Sequence, residues 1–182
     1  FSIGQAAGVR MAVYYQATDV AEGTYRRLLR QDLLWGGLAG LLAGGALAVF
    51  FFGYDVLWFR PLATPDFLSG ALLGGAEPGA ETVESLRNLR IAIFTSLHMI
   101  AFTLLGIIFA RFFRFTQLRK TVLAGVLWGL VACTAVLGAG MQVTGTQMAA
   151  EPGWPALLAG NAAAGLVMVL FLRRALGVDP PG

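Results

Sequence analysis

The chain has 182 residues, of which 57% are hydrophobic and 13% charged, and its mean hydropathy is +0.72. This composition excludes a soluble globular domain and predicts one compact helical domain inside a membrane. The formal net charge of +3 would suit an anionic partner, but the basic residues are sorted by membrane side, which argues against nucleic acid.

The first segment, residues 1–30, has apolar and small residues at a helical spacing from Val9 onward. This pattern predicts a cytoplasmic amphipathic helix that lies on the membrane or on a partner, with a poorly ordered tail as the alternative. Arg10 divides the first apolar stretch, so we expect no signal peptide within this segment.

Four uncharged, apolar runs follow, and each is long enough to cross a hydrocarbon core of about 30 Å at about 1.5 Å per residue. They predict transmembrane helices over about 33–59, 91–112, 121–143 and 154–174. These spans form a membrane domain over 31–175, followed by a cytoplasmic tail over 176–182. The predicted fold class is all-α, with four transmembrane helices, an N-terminal amphipathic helix and a short outer interfacial helix.

The charges that flank the spans predict their orientation. One side carries basic residues at Arg26, Arg27, Arg30, Arg111, Arg114, Arg119, Lys120, Arg173 and Arg174. The other side carries Arg60, Arg87 and Arg90 together with Asp66, Glu77, Glu81, Glu84 and Glu151. The positive-inside rule then places both termini in the cytoplasm and the loop 60–90 outside, in a multi-pass protein of the bacterial cytoplasmic (inner) membrane.

Small residues recur every four positions within three of the spans, so one face of each helix lets another backbone approach closely. The predicted helix-packing glycines are Gly36, Gly40, Gly44, Gly125, Gly129 and Gly160. The spacing leaves open whether these contacts lie within the chain or with another subunit.

After the first span, Thr64 can cap a short helix in which Pro65 takes the first position and Asp66 the first turn. About ten residues are too few to span, so we expect this helix in the outer interface or against the bundle. The polar run after it leads directly into the second span, where Glu84 and Arg87 can form an ion pair three residues apart.

A resemblance covers roughly the middle third of the chain. It is carried by Tyr54, Asp55, Arg60, Pro61, Thr64 and Pro65, followed on the next span by Thr95, His98 and Phe102. With these motifs the chain resembles small multi-span membrane proteins of unassigned function from high-GC bacteria. The resemblance implies a multi-span membrane protein, and it transfers no functional residue.

Polar side chains within the spans are the candidate site. They are Asp55, His98, Gln142 and Asn161, and counting along the helices places all four in one layer of the outer leaflet. A buried ionisable group is costly unless it is paired, so we expect a hydrogen bond between Asp55 and His98 that fixes helix packing. A proton or ion path through Asp55 and His98, as in a small transporter or channel, is an alternative.

His98 also supports a cofactor-binding alternative, because a neutral imidazole commonly ligates a haem iron or a chlorophyll magnesium. It is the single histidine, so a second axial histidine would have to come from another subunit. Aromatic residues expected at the same depth could contact a macrocycle, a quinone, a carotenoid or a bound lipid. They are Phe50, Phe51, Phe52, Tyr54, Trp58 and Phe59.

No catalytic or metal-binding motif accompanies these residues. The lone cysteine, Cys133, lies in the middle of the third span, where it is expected to pack as a small apolar side chain. We therefore expect that the protein is not an enzyme. The sequence is interpreted as an accessory or structural subunit of a larger bacterial membrane complex, for example one of respiratory or photosynthetic electron transport, with membrane lipids and other integral membrane subunits as partners.

Overall fold

The computed structural model describes residues 22–58, 60–73, 84–115, 122–144 and 153–176. These ranges contain five helices and no β-strand. The helices are α1 (Glu22–Trp58), α2 (Ala63–Leu73), α3 (Glu84–Phe115), α4 (122–144) and α5 (Gly153–Ala175). Helix α1 includes a π-helical segment at Asp32–Gly36, and in α4 a second one at Gly129–Cys133 joins Val122–Trp128 to Thr134–Thr144.

Helices α1, α3, α4 and α5 are long and apolar enough to cross a membrane. The prediction of an all-α membrane protein with four spanning helices is therefore confirmed. Helix α3 begins at Glu84, about two turns before the predicted span, because the polar run ahead of that span is helical as well.

Several predicted features fall partly or wholly outside the described residues. The N-terminal amphipathic segment lies outside them up to position 21, and residues 22–30 form the first turns of α1, with no break before the first span. Also outside are most of the tail 176–182, the aromatic residue Phe59, and the flanking charges Glu77, Glu81, Arg119, Lys120 and Glu151.

Helices α1 and α5 form the centre of the bundle. Helix α1 packs along α3 and α5, and α5 also packs along α4. The short helix α2 packs against the start of α3 and the end of α4. Large apolar side chains fill these contacts and are almost fully buried, namely Phe109, Phe113, Leu157, Met168, Val169 and Leu172. Cys133 is buried in the same core, as a small side chain between apolar neighbours.

Helices α1 and α3 cross at glycines. A Cβ on Gly36 would lie 2.7 Å from the Cα of Ile107, and a Cβ on Gly40 would overlap the carbonyl group of Phe102. Gly106 of α3 faces back toward Gly36 and Gly40. Because no side chain fits between them, the two backbones are in direct contact.

The contact between α4 and α5 is built in the same way. A Cβ on Gly125 would lie 2.5 Å from the carbonyl oxygen of Gly165, and Gly129 faces the carbonyl oxygen of Asn161. On another face of α5, a Cβ on Gly160 would lie 2.6 Å from the Leu47 side chain of α1. The four spanning helices are thus joined in pairs through small residues.

The last predicted packing glycine, Gly44, faces the side chains of Met99 and Phe102 on α3. All six predicted glycines therefore face another helix of the same chain. Gly106 and Gly165 complete the contacts, although they are not among the predicted packing residues.

Candidate functional site

Asp55, near the end of α1, is fully buried and caps the start of α2. Its Oδ2 accepts a hydrogen bond from the backbone N–H of Thr64 at 2.8 Å, and its Oδ1 accepts one from the Thr64 hydroxyl at 2.6 Å. The first N–H groups of a helix lack intrahelical acceptors and carry a partial positive charge, so a carboxylate is stabilised there. Asp55 therefore ties α1 to α2.

A tight turn reverses the chain between these two helices. Leu62 has a φ of 66°, in the left-handed region that residues with side chains rarely adopt, and the N–H of Ala63 donates to the carbonyl of Arg60 at 3.0 Å. Helix α2 begins at Ala63, so the predicted cap Thr64 lies inside the helix. The capping carboxylate comes from Asp55 instead.

The predicted hydrogen bond between Asp55 and His98 is not formed. His98 interacts with the backbone of Gly44, and its ring centroid lies 4.6 Å from that of Phe102. Gly44 and Asp55 are eleven residues apart in the sequence, which is about 16 Å along a helix. The prediction is wrong because the turn after α1 brings Thr64 to Asp55, which a count along separate helices could not show.

The other two polar residues of the predicted layer differ in their surroundings. Asn161 is buried, and its Nδ2 donates to the Thr134 hydroxyl at 3.0 Å, which joins α5 to α4. Gln142 is exposed and follows Gly140, which faces Leu72 of α2. Asn161 therefore has a role in helix packing, whereas Gln142 lies at the end of the bundle that α2 covers.

The polar residues consequently occupy two levels and not one layer. Asp55 and Gln142 lie near α2, while His98 and Asn161 lie near the middle of α1, beside the segment that includes Gly44. His98 contacts Gly44, eleven residues before Asp55 on α1, so it lies further than Asp55 from the end of the bundle that α2 covers.

A cluster of charged side chains joins α2 to the start of α3. Asp66 Oδ2 accepts hydrogen bonds from Arg87 Nε at 2.8 Å and Arg60 Nη2 at 2.9 Å, and its Oδ1 accepts one from Arg90 Nη2 at 3.0 Å. Arg90 Nε also donates to the Ser69 hydroxyl at 3.3 Å. We refer to Arg60, Arg87, Arg90 and Asp66 as the arginine cluster.

The electrostatics of this cluster are set by the three guanidinium groups. Burial alone would raise the pKa of Asp66, but the hydrogen bonds from Arg87, Arg90 and Arg60 outweigh it and hold that pKa below its usual value. Arg87 was predicted to pair with Glu84. Its described ion pair is with Asp66 instead, because α2 packs against this face of α3. The three-residue spacing of Arg87 and Arg90 was the signal that could have indicated a shared partner.

A second buried charge lies at the opposite end of the bundle. Asp32, in the π-helical segment of α1, is buried and accepts a hydrogen bond from Arg111 Nη1 of α3 at 3.3 Å. The Arg111 guanidinium also lies 5.5 Å from the centre of the Tyr25 ring. Arg111 was predicted only to be a flanking charge. The sequence signal for this ion pair was an acid at the end of one span and a base at the matching end of the antiparallel neighbour.

The surroundings of candidate metal or cofactor ligands can be given for the described residues. Among them, no three or more His, Cys, Asp or Glu side chains form a group that could hold a metal ion. His98 lies between the rings of Phe94 and Phe102, with centroid distances of 5.9 Å and 4.6 Å. Trp128 stacks on Phe109 at 5.3 Å, and its buried Nε1 has no hydrogen-bond partner in the part of the chain that the structure describes.

Comparisons with protein-family models, with curated proteins and with solved structures returned no match. The geometry of the polar groups is therefore the basis for a functional interpretation. Across the described ranges, five polar or charged side chains are buried, and each takes part in a hydrogen bond within the chain. They are Asp32, Asp55, Thr64, Ser69 and Asn161.

Proposed function

We propose that this chain is an accessory or structural subunit of a larger bacterial membrane complex, such as one of respiratory or photosynthetic electron transport. The observation that supports the proposal is the use of the five buried polar side chains, which hold helices and turns of the chain together. A transport path or an active site needs polar groups that can change partners or receive a ligand. Groups that are committed to internal hydrogen bonds suit a packing role better.

In this proposal the chain lies in the bacterial cytoplasmic membrane, with both termini in the cytoplasm and α2 on the outer side. The basic residues at the ends of the spans support this orientation. Exposed apolar side chains on α3, among them Leu97, Ile100 and Leu104, provide surface for membrane lipids and for other integral membrane subunits.

The two alternatives are affected differently by the geometry. A transporter or channel that uses Asp55 and His98 together loses its support, because these side chains have different partners. A cofactor-binding role of His98 retains one supporting observation, which is the position of its ring between Phe94 and Phe102. The experiment must therefore separate a structural subunit from a cofactor-binding one.

The test is purification of a tagged chain from its own membranes after mild extraction, with quantification of every co-purifying protein and an absorption spectrum. We expect at least one other integral membrane protein at a fixed molar ratio, and the same ratio and spectrum in His98→Ala. Thr95→Ala, an exposed position on the same helix, is the matched control.

Two outcomes would contradict the proposal. One is a chain that purifies without any stoichiometric partner. The other is a Soret or near-infrared absorption band that is present in wild type and in Thr95→Ala but lost in His98→Ala, which would favour the cofactor-binding role of His98.

A further inference from the structure

The arginine cluster carries more positive charge than its own fold requires. Three guanidinium groups, those of Arg60, Arg87 and Arg90, surround the single carboxylate of Asp66. Counted over these four residues, three positive charges against one negative charge leave a formal excess of two, and Glu84, one turn before Arg87 on α3, forms no described ion pair with them. An excess of positive charge held in place by hydrogen bonds attracts anions.

The arginines also retain unused hydrogen-bond donors. A guanidinium group has five N–H donors, and the described bonds use Arg60 Nη2, Arg87 Nε, and Arg90 Nε and Nη2. Within the described ranges, these are the hydrogen bonds that the three arginine side chains donate. Asp66 thus orients three guanidinium groups while leaving part of each available.

The three arginine side chains differ in how much of each is exposed. The Arg60 side chain is 63% exposed, whereas those of Arg87 and Arg90 are 26% and 17% exposed. Arg87 and Arg90 therefore form a fixed base against α2, and Arg60 is the outermost donor. An anion that reaches the cluster from outside would meet Arg60 first.

The position of the cluster along the molecule identifies the kind of anion. Arg60 lies two residues beyond Trp58, whose exposed ring stacks on Tyr54 at 5.2 Å. Trp and Tyr are enriched where the hydrocarbon core meets the headgroups, and phospholipid phosphates lie at that depth. Arginine is also the side chain best suited to phosphate, because its planar fork donates two parallel hydrogen bonds.

We propose that the arginine cluster binds the phosphate of an anionic phospholipid headgroup at the end of the bundle that α2 covers. The phosphate accepts hydrogen bonds from the outward N–H groups of Arg60 and its neighbours, while Asp66 keeps the guanidinium groups in place. The short helix α2 is held against α3 by the same residues, so a bound lipid stabilises the α2–α3 contact.

The test compares thermal unfolding of the purified protein in micelles supplemented with phosphatidylglycerol or with phosphatidylcholine of the same acyl chains. We expect a higher Tm with phosphatidylglycerol. Titration with the same lipid should give an affinity about fivefold weaker in Arg60→Gln, as for one exposed charged hydrogen bond. Arg26→Gln, at an exposed arginine near the opposite end of α1, is the matched control and should bind like wild type.

Inorganic phosphate, added at matched ionic strength, distinguishes a lipid from a soluble anion. If phosphate raises the Tm as much as phosphatidylglycerol does, the lipid assignment is overturned. Equal Tm values in the two lipids, or phosphatidylglycerol affinity that is the same in Arg60→Gln and wild type, would overturn the site itself. Because the Arg60 side chain is 63% exposed, its ion pair with Asp66 contributes little, and its substitution should lower the Tm in phosphatidylcholine only slightly.

Discussion

At the level of single residues, three aspartates each join a different pair of helices. Asp32 links α1 to α3, Asp55 links α1 to α2, and Asp66 links α2 to α3. A charge that leaves water is costly unless it is paired, so each of these bonds disfavours arrangements in which it is broken. The three contacts together fix how α1, α2 and α3 sit against one another.

Asp55 should be energetically coupled to Thr64 and independent of His98. Asp55→Leu should lower the free energy of unfolding by about 3 kcal/mol, because it leaves two buried donors of Thr64 without an acceptor. Adding Thr64→Val should cost less than the sum of the single effects, by about 1 kcal/mol, since the hydroxyl has already lost its partner. Denaturation in detergent micelles, followed by circular dichroism, measures each variant.

His98→Leu serves as the control in the same experiment. Its effect should add to that of Asp55→Leu within about 0.5 kcal/mol, because the two side chains have no shared partner. The opposite result would be coupling between Asp55 and His98 together with additive effects of Asp55 and Thr64. It would support the hydrogen bond between Asp55 and His98 and contradict the capping role of Asp55.

Asp66 should make the stability of the protein depend on pH in the acidic range. Its folded pKa is lowered, so its contribution is complete above the usual aspartate pKa of about 4 and is lost as the pH falls through the folded value. Asp66→Asn should therefore be less stable than wild type by about 1–2 kcal/mol at pH 7, and the difference should shrink below about pH 4.

Thermal denaturation of wild type and Asp66→Asn across this pH range measures the effect. Glu22→Gln, which removes an exposed acid at the start of α1, is the control and should follow the wild-type curve closely. A difference between Asp66→Asn and wild type that grows as the pH falls would have the wrong sign for this account.

At the level of helices, the glycine contacts are what let the spans pack. On α1, Gly40 touches the α3 backbone, whereas a Cβ on Gly45, five residues further on, would meet no atom within 4 Å. The same substitution at these two positions therefore separates loss of a backbone contact from any general effect of replacing glycine in a helix.

Gly40→Ala should destabilise the protein by about 2 kcal/mol, because the added methyl group overlaps the carbonyl of Phe102 and forces the helices apart. Gly45→Ala should be neutral or slightly stabilising, since alanine has the higher helix propensity. The midpoint of detergent-induced unfolding measures both variants. Equal midpoints for the two variants would mean that the contact between the α1 and α3 backbones does not depend on the glycine at position 40.

The helices and their small-residue faces could be predicted from the sequence because both depend on local spacing. The runs of apolar residues predicted four spans, and the repeat at Gly36 and Gly40 predicted a close contact, although not its partner Gly106. The partner of Asp55 could not be predicted, because it depends on a turn in which Leu62 adopts a left-handed conformation. The arginine cluster was missed for a similar reason, since its residues meet only after α2 folds back on α3.

At the level of the whole molecule, the charged contacts lie at the two ends of the bundle and apolar surface lies between them. Asp32 and Arg111 mark one end, and the arginine cluster marks the other. Between them, Leu97, Ile100 and Leu104 of α3 are exposed. This distribution suits a chain whose two ends face water or headgroups and whose sides face lipid or other membrane subunits.

The predicted orientation can be tested by labelling single cysteines from either side of the membrane. Arg26→Cys should react only with a reagent that reaches the cytoplasm, and Glu84→Cys should react from outside, because they lie at opposite ends of the bundle. Cys133 is buried, so the unmodified chain is the control and should label weakly. Labelling of both positions from the same side would contradict the four-span topology.

The subunit role is tested most directly by the mass and composition of the particle that is cut from the membrane with its surrounding lipid by an amphipathic polymer. We predict a single species whose protein mass exceeds that of the 19.3 kDa chain, with at least one different integral membrane protein at a constant ratio across preparations. A particle that holds only this chain and lipid, as a monomer or as an oligomer of itself, would contradict the account.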